Sequence, residues 1–168
     1  IDKLMRQYLP ADLSDFKIPL IISATDILSG KTIYFTNGET VAVITGASSI
    51  PGLFRPVRYQ QWVLVDGGVL NNLPVEPLKK FNLPVIGVHV NPVGEIPPPA
   101  GTISVLERTF HLGVYSNTLY RESLCDVLIE PSKLKTTKVF DYKKGKEIYE
   151  AGYQEVMRRA DELLEKYL

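Results

Sequence analysis

The sequence predicts an α/β fold, and three observations carry that prediction. Short apolar, β-branched runs recur along the chain, and segments with a helical spacing of apolar residues separate them. "WVLVD", "VEPLKKF" and "PVIGVHV" then follow one another in strand, helix, strand order. That rhythm belongs to a three-layer arrangement with helices on both faces of a sheet. A chain of 168 residues is long enough for one domain, which at this size buries roughly 70% of its unfolded surface.

The elements can be read in order. "DKLMRQYL" has Leu4, Met5, Tyr8 and Leu9 at helical spacing, and Pro10 ends it. "IPLIISATDI" is a nearly continuous apolar run, the pattern of a strand buried on both faces of a parallel or mixed sheet. "SGKTIYFT" alternates and follows through Ser29-Gly30, which predicts a tight turn and an antiparallel partner. "ETVAVITGAS" is compatible with a short buried helix, although its valines and isoleucine also permit a strand. "WVLVD" reads as a strand, "VEPLKKF" as a short helix and "PVIGVHV" as a buried strand. Pro97, Pro98 and Pro99 make "EIPPPAG" a surface loop. "ISVLERTFHLGVYSNTLYRESL" returns to a helical period, "CDVLIEP" is a further strand, and "KGKEIYEAGYQEVMRRADELLEKYL" closes the chain as one long amphipathic helix. The strands at 19–26, 31–36, 62–66, 84–90 and 125–130 are expected in one sheet. No internal repeat is visible, and no strand precedes the first helix, so the chain reads as truncated at its N-terminus.

Composition narrows the function classes. Lys plus Arg and Asp plus Glu number 19 each, so there is no net field to attract nucleic acid, and no basic run forms a polyanion-binding arm. The single cysteine, Cys125, rules out an internal disulfide and any multi-cysteine metal site and is expected as a buried small apolar side chain. No apolar run approaches the ~18 residues of a membrane span. A nucleotide-binding α/β domain would need a G-x-x-x-x-G-K-[ST] or G-x-G-x-x-G turn after a strand, and neither occurs. No H-x-x-x-H or H-E-x-x-H is present, and no metal or cofactor is assigned.

The remaining signal is "WVLVDGGVLNNLP", where Asp66 ends an apolar run and Gly67 and Gly68 follow at once. Asp-Gly and Gly-Gly are ordinary turn dipeptides, so a plain turn is the first reading. A G-x-S-x-G elbow, the sharp turn that exposes a nucleophilic serine, is missing. "GASSI" comes nearest, with Ile50 where the last glycine belongs and no clear strand before it.

Taken in order, "IPLIISATDILSGKTIYFTNG", "ITGASSIPGLFRPV", "LVDGGVLNNLPVEPLKKF" and the closing "YEAGYQEV" resemble the C-terminal half of a patatin-like phospholipase. The second segment is similar to the family's A-S-x-x-x-P-x-x-F-x-P block, and the third to its D-G-[AG] block followed by N-x-P. The resemblance implies a three-layer α/β/α fold with a central, mostly parallel sheet, of which residues 1–168 would be the C-terminal portion of a single domain. It implies a serine lipid acyl hydrolase with a Ser-Asp dyad and no cofactor. It implies that Asp66 is the catalytic base, with Gly67 and Gly68 leaving room for the turn and the substrate. The serine and the glycine-rich oxyanion loop are absent here and are expected upstream of Ile1, so the chain alone is expected to be inactive. The implied partners are a lipid or acyl-ester substrate, the upstream half of the same domain and a membrane touched peripherally from the cytoplasm. The alternative is a non-catalytic lipid- or protein-binding module of the same fold.

Other residues have plainer readings. His89 within a buried strand is expected to be a hydrogen-bonded core histidine, and His111 falls in the long helix. Asn71 and Asn72 are expected to cap the turn and the following helix. Ser48 and Ser49 are expected to end a helix before Pro51 and Gly52. The apolar residues from Pro51 to Val57, with Tyr59 and Trp62, fit either an acyl-chain pocket or core.

Overall fold

The computed structural model describes residues 2–137 and 142–167. It is a mixed α/β structure in two compact units, Ile1–Pro77 and Leu78–Leu168.

In the first unit, α1 (Asp2–Tyr8) is followed by β1 (Ile22–Asp26) and β2 (Lys31–Phe35). These strands pair antiparallel, Asp26 opposite Lys31, as the Ser29-Gly30 turn predicts. Gly30 has φ +66°, a left-handed value that glycine adopts without strain. The buried Asp26 carboxylate organises this turn, accepting the Leu28 and Ser29 amides and the Ser29 hydroxyl. It also accepts the Val63 amide at 3.0 Å, which ties the turn to the next hairpin. These hydrogen bonds, the Ser29 hydroxyl foremost, hold the Asp26 carboxyl below its ordinary range despite burial.

α2 (Thr40–Ala47) settles the ambiguity of "ETVAVITGAS" in favour of a helix. Its β-branched residues are weak helix formers, so packing decides the outcome. Val41 and Val43 are buried, and a Cβ on Gly46 would lie 2.9 Å from the Leu64 Cβ. A larger residue at 46 would push the helix off the sheet. β3 (Val57–Tyr59) and β4 (Trp62–Asp66) complete the unit, and the sheet order is β2-β1-β4-β3. Leu13, Ala24, Phe35, Val43 and Leu64 form the core, with the Phe35 ring edge-on to Trp62 and Tyr59 at 5.3 and 5.9 Å.

In the second unit, β5 (Ile86–Val88) and β6 (Val127–Ile129) pair in parallel, with α3 (Thr102–Ser116) and α4 (Leu119–Glu122) between them in sequence. α5 (Gly145–Met157) and α6 (Ala160–Tyr167) follow. An apolar cavity of about 400 Å³ is lined by Val88, Val90, Ile129, Leu134, Tyr149 and Tyr153 among others.

The structure corrects four expectations. The four-stranded sheet is antiparallel at every pairing rather than mostly parallel. Its outer pairs are hairpins joined by short turns, and such turns can only reverse the chain. The strands do not form one ladder, because β5 and β6 make a separate two-stranded sheet, the one parallel pair among the described residues. β5 is buried on one face only: Val85, Gly87 and His89 point inward while Ile86, Val88 and Val90 are exposed. Finally, each of the two long helices is broken. At Thr118 the hydroxyl donates to the Val114 carbonyl, a local bond that competes with helix continuation and separates α3 from α4. Arg158 and Arg159 separate α5 from α6, and the Arg159 guanidinium donates to the Leu128 carbonyl of β6 at 2.8 Å. Leu168, the expected end of the closing helix, lies outside the described residues.

Leu64 is fully buried between sheet and helix, so Leu64→Ala should lower unfolding free energy by about 2–5 kcal/mol. Urea denaturation should show an earlier midpoint with an unchanged slope.

Candidate active site

Asp66 stands at the end of β4, opposite Ala24 of β1. Its amide donates to the Ser49 carbonyl at 3.0 Å, which fixes the strand end against the loop after α2. The chain then enters a short 3-10 turn over Gly67–Val69 for which Asp66 is the cap: its Oδ1 accepts the Gly68 amide at 2.8 Å. The side chain is half-buried. Burial pushes the Asp66 carboxyl above its ordinary value of 3.8, and the Gly68 hydrogen bond opposes the shift without cancelling it.

The two glycines are required for different reasons. A Cβ on Gly67 would lie 2.4 Å from the Ser23 carbonyl oxygen and 2.7 Å from its hydroxyl, so any side chain there collides with the backbone of β1. A Cβ on Gly68 would lie 3.0 Å from Asp66 Oδ1 and 2.8 Å from Asn72 Oδ1. Gly68 therefore keeps the space beside the carboxylate open, and the Asn72 amide shares that space. The Gly67 carbonyl accepts from the Leu70 and Asn71 amides, which closes the turn.

The neighbouring polar residues are occupied. The Ser49 hydroxyl donates to the Thr45 carbonyl at 2.7 Å, and Ser48 caps the end of α2, as a helix end requires. Asn71 is fully buried, and its amide group donates to the Tyr34 hydroxyl at 2.8 Å and the Glu76 carboxylate at 3.0 Å. Asn71, expected to cap the turn and the following helix, thus ties the turn to Glu76 at the start of that helix and also to β2. Tyr59 and Trp62 pack against the core, whereas Leu53 and Phe54 are exposed.

In the second unit His89 is 2% exposed, and its Nδ1 is 2.8 Å from Glu130 Oε2, as expected of a hydrogen-bonded core histidine. His111 Nε2 lies 3.3 Å from the Asn91 carbonyl. Cys125 is half-buried rather than buried, and desolvation raises its thiol pKa, which leaves it a poor nucleophile. Sequence reading missed Ser23 and Asp26. The close approach of Ser23 to Gly67 has no local signature, but Asp26 before "ILSG" is a turn-capping pattern that was legible.

Comparison with known proteins bears on this region. The model of the family described as patatin-like phospholipase matches residues 2–79. An uncharacterized NTE family protein of Mycobacterium bovis is 35% identical over 83 residues, covering 49% of this chain and 23% of the relative. Another, of Mycobacterium tuberculosis, is 41% identical over 51 residues, covering 30% of this chain and 9% of the relative. Lysophospholipase NTE1 of Candida albicans is 30% identical over 89 residues, covering 52% of this chain and 6% of the relative. The chain thus spans less than a quarter of the length of these relatives. Among the described residues, no helix is long and apolar enough to cross a membrane.

Two predictions follow from the geometry. Gly67→Ala should destabilise the protein by about 1–3 kcal/mol, because β1 must move to admit the methyl group; chemical denaturation reads this directly. Asp66 has a raised pKa in the folded state, so its contribution to stability is present at low pH and is lost as pH rises through the folded pKa. Asp66→Asn should therefore gain in thermal midpoint relative to the wild type as pH is raised from the acid range to neutrality, and the difference should shrink below the ordinary carboxylate range.

Proposed function

We propose that the chain is the C-terminal portion of a patatin-like lipid acyl hydrolase domain and supplies its general base, Asp66. The observation that carries this reading is a strand-end carboxylate, half-buried and raised in pKa, inside the segment that matches the patatin-like phospholipase family. A carboxylate of raised pKa accepts a proton from a hydroxyl more readily than a solvated one. The printed names of the fungal relatives support a lysophospholipid substrate.

The reaction needs a serine from outside these 168 residues. Its hydroxyl adds to the acyl carbonyl carbon while Asp66 takes the proton. The tetrahedral intermediate expels the lipid alcohol, which receives that proton, and an acyl-serine remains. Water then adds to the acyl carbon with Asp66 again as base, and the fatty acid and the free serine leave. Oδ1 accepts the Gly68 amide, so in this reading Oδ2 accepts the proton. Gly67 and Gly68 support this role by shape: the first lets β1 and the turn touch, and the second leaves room at the carboxylate.

A cytoplasmic enzyme that meets a membrane peripherally fits this chemistry. Leu53 and Phe54 are exposed beside Arg55 and Arg58, a pairing of apolar and basic groups suited to a lipid surface. The exposed row Ile86, Val88 and Val90 supports a further segment packing on the second unit, and the upstream half of the domain is the proposed partner.

The test uses the full-length protein. Asp66→Asn keeps size and most hydrogen bonding but removes the proton acceptor, so hydrolysis of a short-chain ester and of a lysophospholipid should fall by ~10²–10⁴-fold. Circular dichroism and thermal melting should show a folded protein. Turnover close to that of the wild type in a folded Asp66→Asn variant would overturn the assignment and leave Asp66 as the cap of a turn. A wild-type protein that binds lysophospholipid without hydrolysing it would favour the non-catalytic module.

A further inference from the structure

The second unit holds a cluster that the hydrolase reading does not use. His89 follows β5, Glu122 ends α4, and Glu130 follows β6. The ligand-type atoms of the three side chains all lie within 4.8 Å of one another. His89 Nδ1 is 2.8 Å from Glu130 Oε2 and 3.7 Å from Glu122 Oε1. The Tyr115 ring stacks on the imidazole at 5.9 Å between centroids and 15° between planes, which holds it in orientation.

Charge makes this arrangement unfavourable as it stands. One proton on Nδ1 satisfies Glu130, but Glu122 Oε1 is buried, faces the same nitrogen and has no hydrogen-bond donor. A buried carboxylate oxygen without a donor is costly, and buried charges are normally paired or bound to a metal. Two carboxylates and a neutral imidazole carry a net charge of about −2, of which a proton on the ring offsets only half.

We propose that His89, Glu122 and Glu130 form a binding site for a divalent transition-metal cation, with zinc and manganese as the fitting ions. Imidazole nitrogen suits zinc and carboxylate oxygen suits manganese, and a site with one nitrogen and two oxygen donors accepts either. A cation at the cluster offsets both carboxylates and gives Glu122 Oε1 its missing partner. His89 Nδ1 becomes available without loss of the ring proton. The proton then sits on Nε2, which is buried without a hydrogen-bond acceptor, a cost that neutralising the two carboxylates must offset. The three ligands come from two strand ends and one helix end, so binding would tie α4 to the β5–β6 pair. Water would fill the open coordination positions.

The test uses full-length protein freed of metal with a chelator. Calorimetric titration with zinc and with manganese should show one equivalent bound per chain by at least one ion, and that ion should raise the thermal midpoint by several degrees. Glu122→Gln and Glu130→Gln keep shape while removing charge, and each should weaken binding by about tenfold or more. X-ray absorption of the loaded wild type should show nitrogen and oxygen neighbours including one imidazole, a readout that does not depend on the variants folding. No binding by the wild type would overturn the proposal and leave a proton as the shared cation. Binding unchanged in both variants would also overturn it, because the ion would then sit elsewhere.

Discussion

The contact on which the candidate site depends is the pairing of β1 with β4. It joins two hairpins distant in sequence: Ala24, Thr25 and Asp26 lie opposite Asp66, Val65 and Leu64. Beside the bonds to Ser49 and Gly68, the contacts that position the turn at Asp66 pass through it. Gly67 can touch Ser23 because β1 runs beside β4, and the Thr25 hydroxyl reaches the Gly67 carbonyl at 3.5 Å. At the other end of the ladder the Asp26 carboxylate takes the Val63 amide. Ala24, fully buried, leaves the space that Leu13, Phe35, Val43 and Leu64 fill from both sides.

This framework lets one carboxylate serve as the observed cap and as the proposed base. A cap needs only one oxygen to accept an amide, and Gly68 supplies that donor. A base needs an oxygen with a proton affinity above that of a solvated carboxylate, and partial burial supplies it. A second or third amide donor would lower the pKa, which is the situation of Asp26. The two aspartates thus lie at opposite ends of the same ladder with opposite shifts: desolvation dominates at Asp66, and the Ser29 hydroxyl and Val63 amide outweigh it at Asp26.

Much of the first unit was legible because its signals are local. The Ser29-Gly30 turn, the alternation of "KTIYF" and the apolar run ending at Asp66 each specify a strand or a turn without reference to distant residues. β3 was missed for the converse reason. Its turn uses Gln60 at φ 52°, where a turn is ordinarily announced by glycine or asparagine. Strand direction was misjudged because a continuous apolar run reports burial, not the direction of its partner. Of the site, Asp66 and its glycines could be read as a sharp turn, but the need for Gly67 comes from Ser23, on another strand. The breaks at Thr118 and Arg158–Arg159 were illegible because apolar spacing continues across both, and only the Thr118 hydroxyl bond and the reach of Arg159 to Leu128 mark them.

The same distinction separates the two polar clusters of the molecule. Around Asp66 most buried polar groups have a partner supplied by the turn itself or by an adjoining strand: Asp66 by Gly68, the Ser49 hydroxyl by the Thr45 carbonyl, and the Asn71 Nδ2 by Tyr34 and Glu76, while Asn71 Oδ1 and Thr45 Oγ1 have no donor or acceptor. Such a network fixes the Asp66 carboxylate through the Gly68 amide before any ligand arrives, as the proposed base that must meet a hydroxyl requires. Around His89 two acceptors compete for one donor, and Glu122 Oε1 is left over. Acceptors in excess of donors at a buried position are what a cation relieves and a neutral substrate does not. On the two proposals, the first cluster takes a proton in passing and the second holds a positive charge at rest.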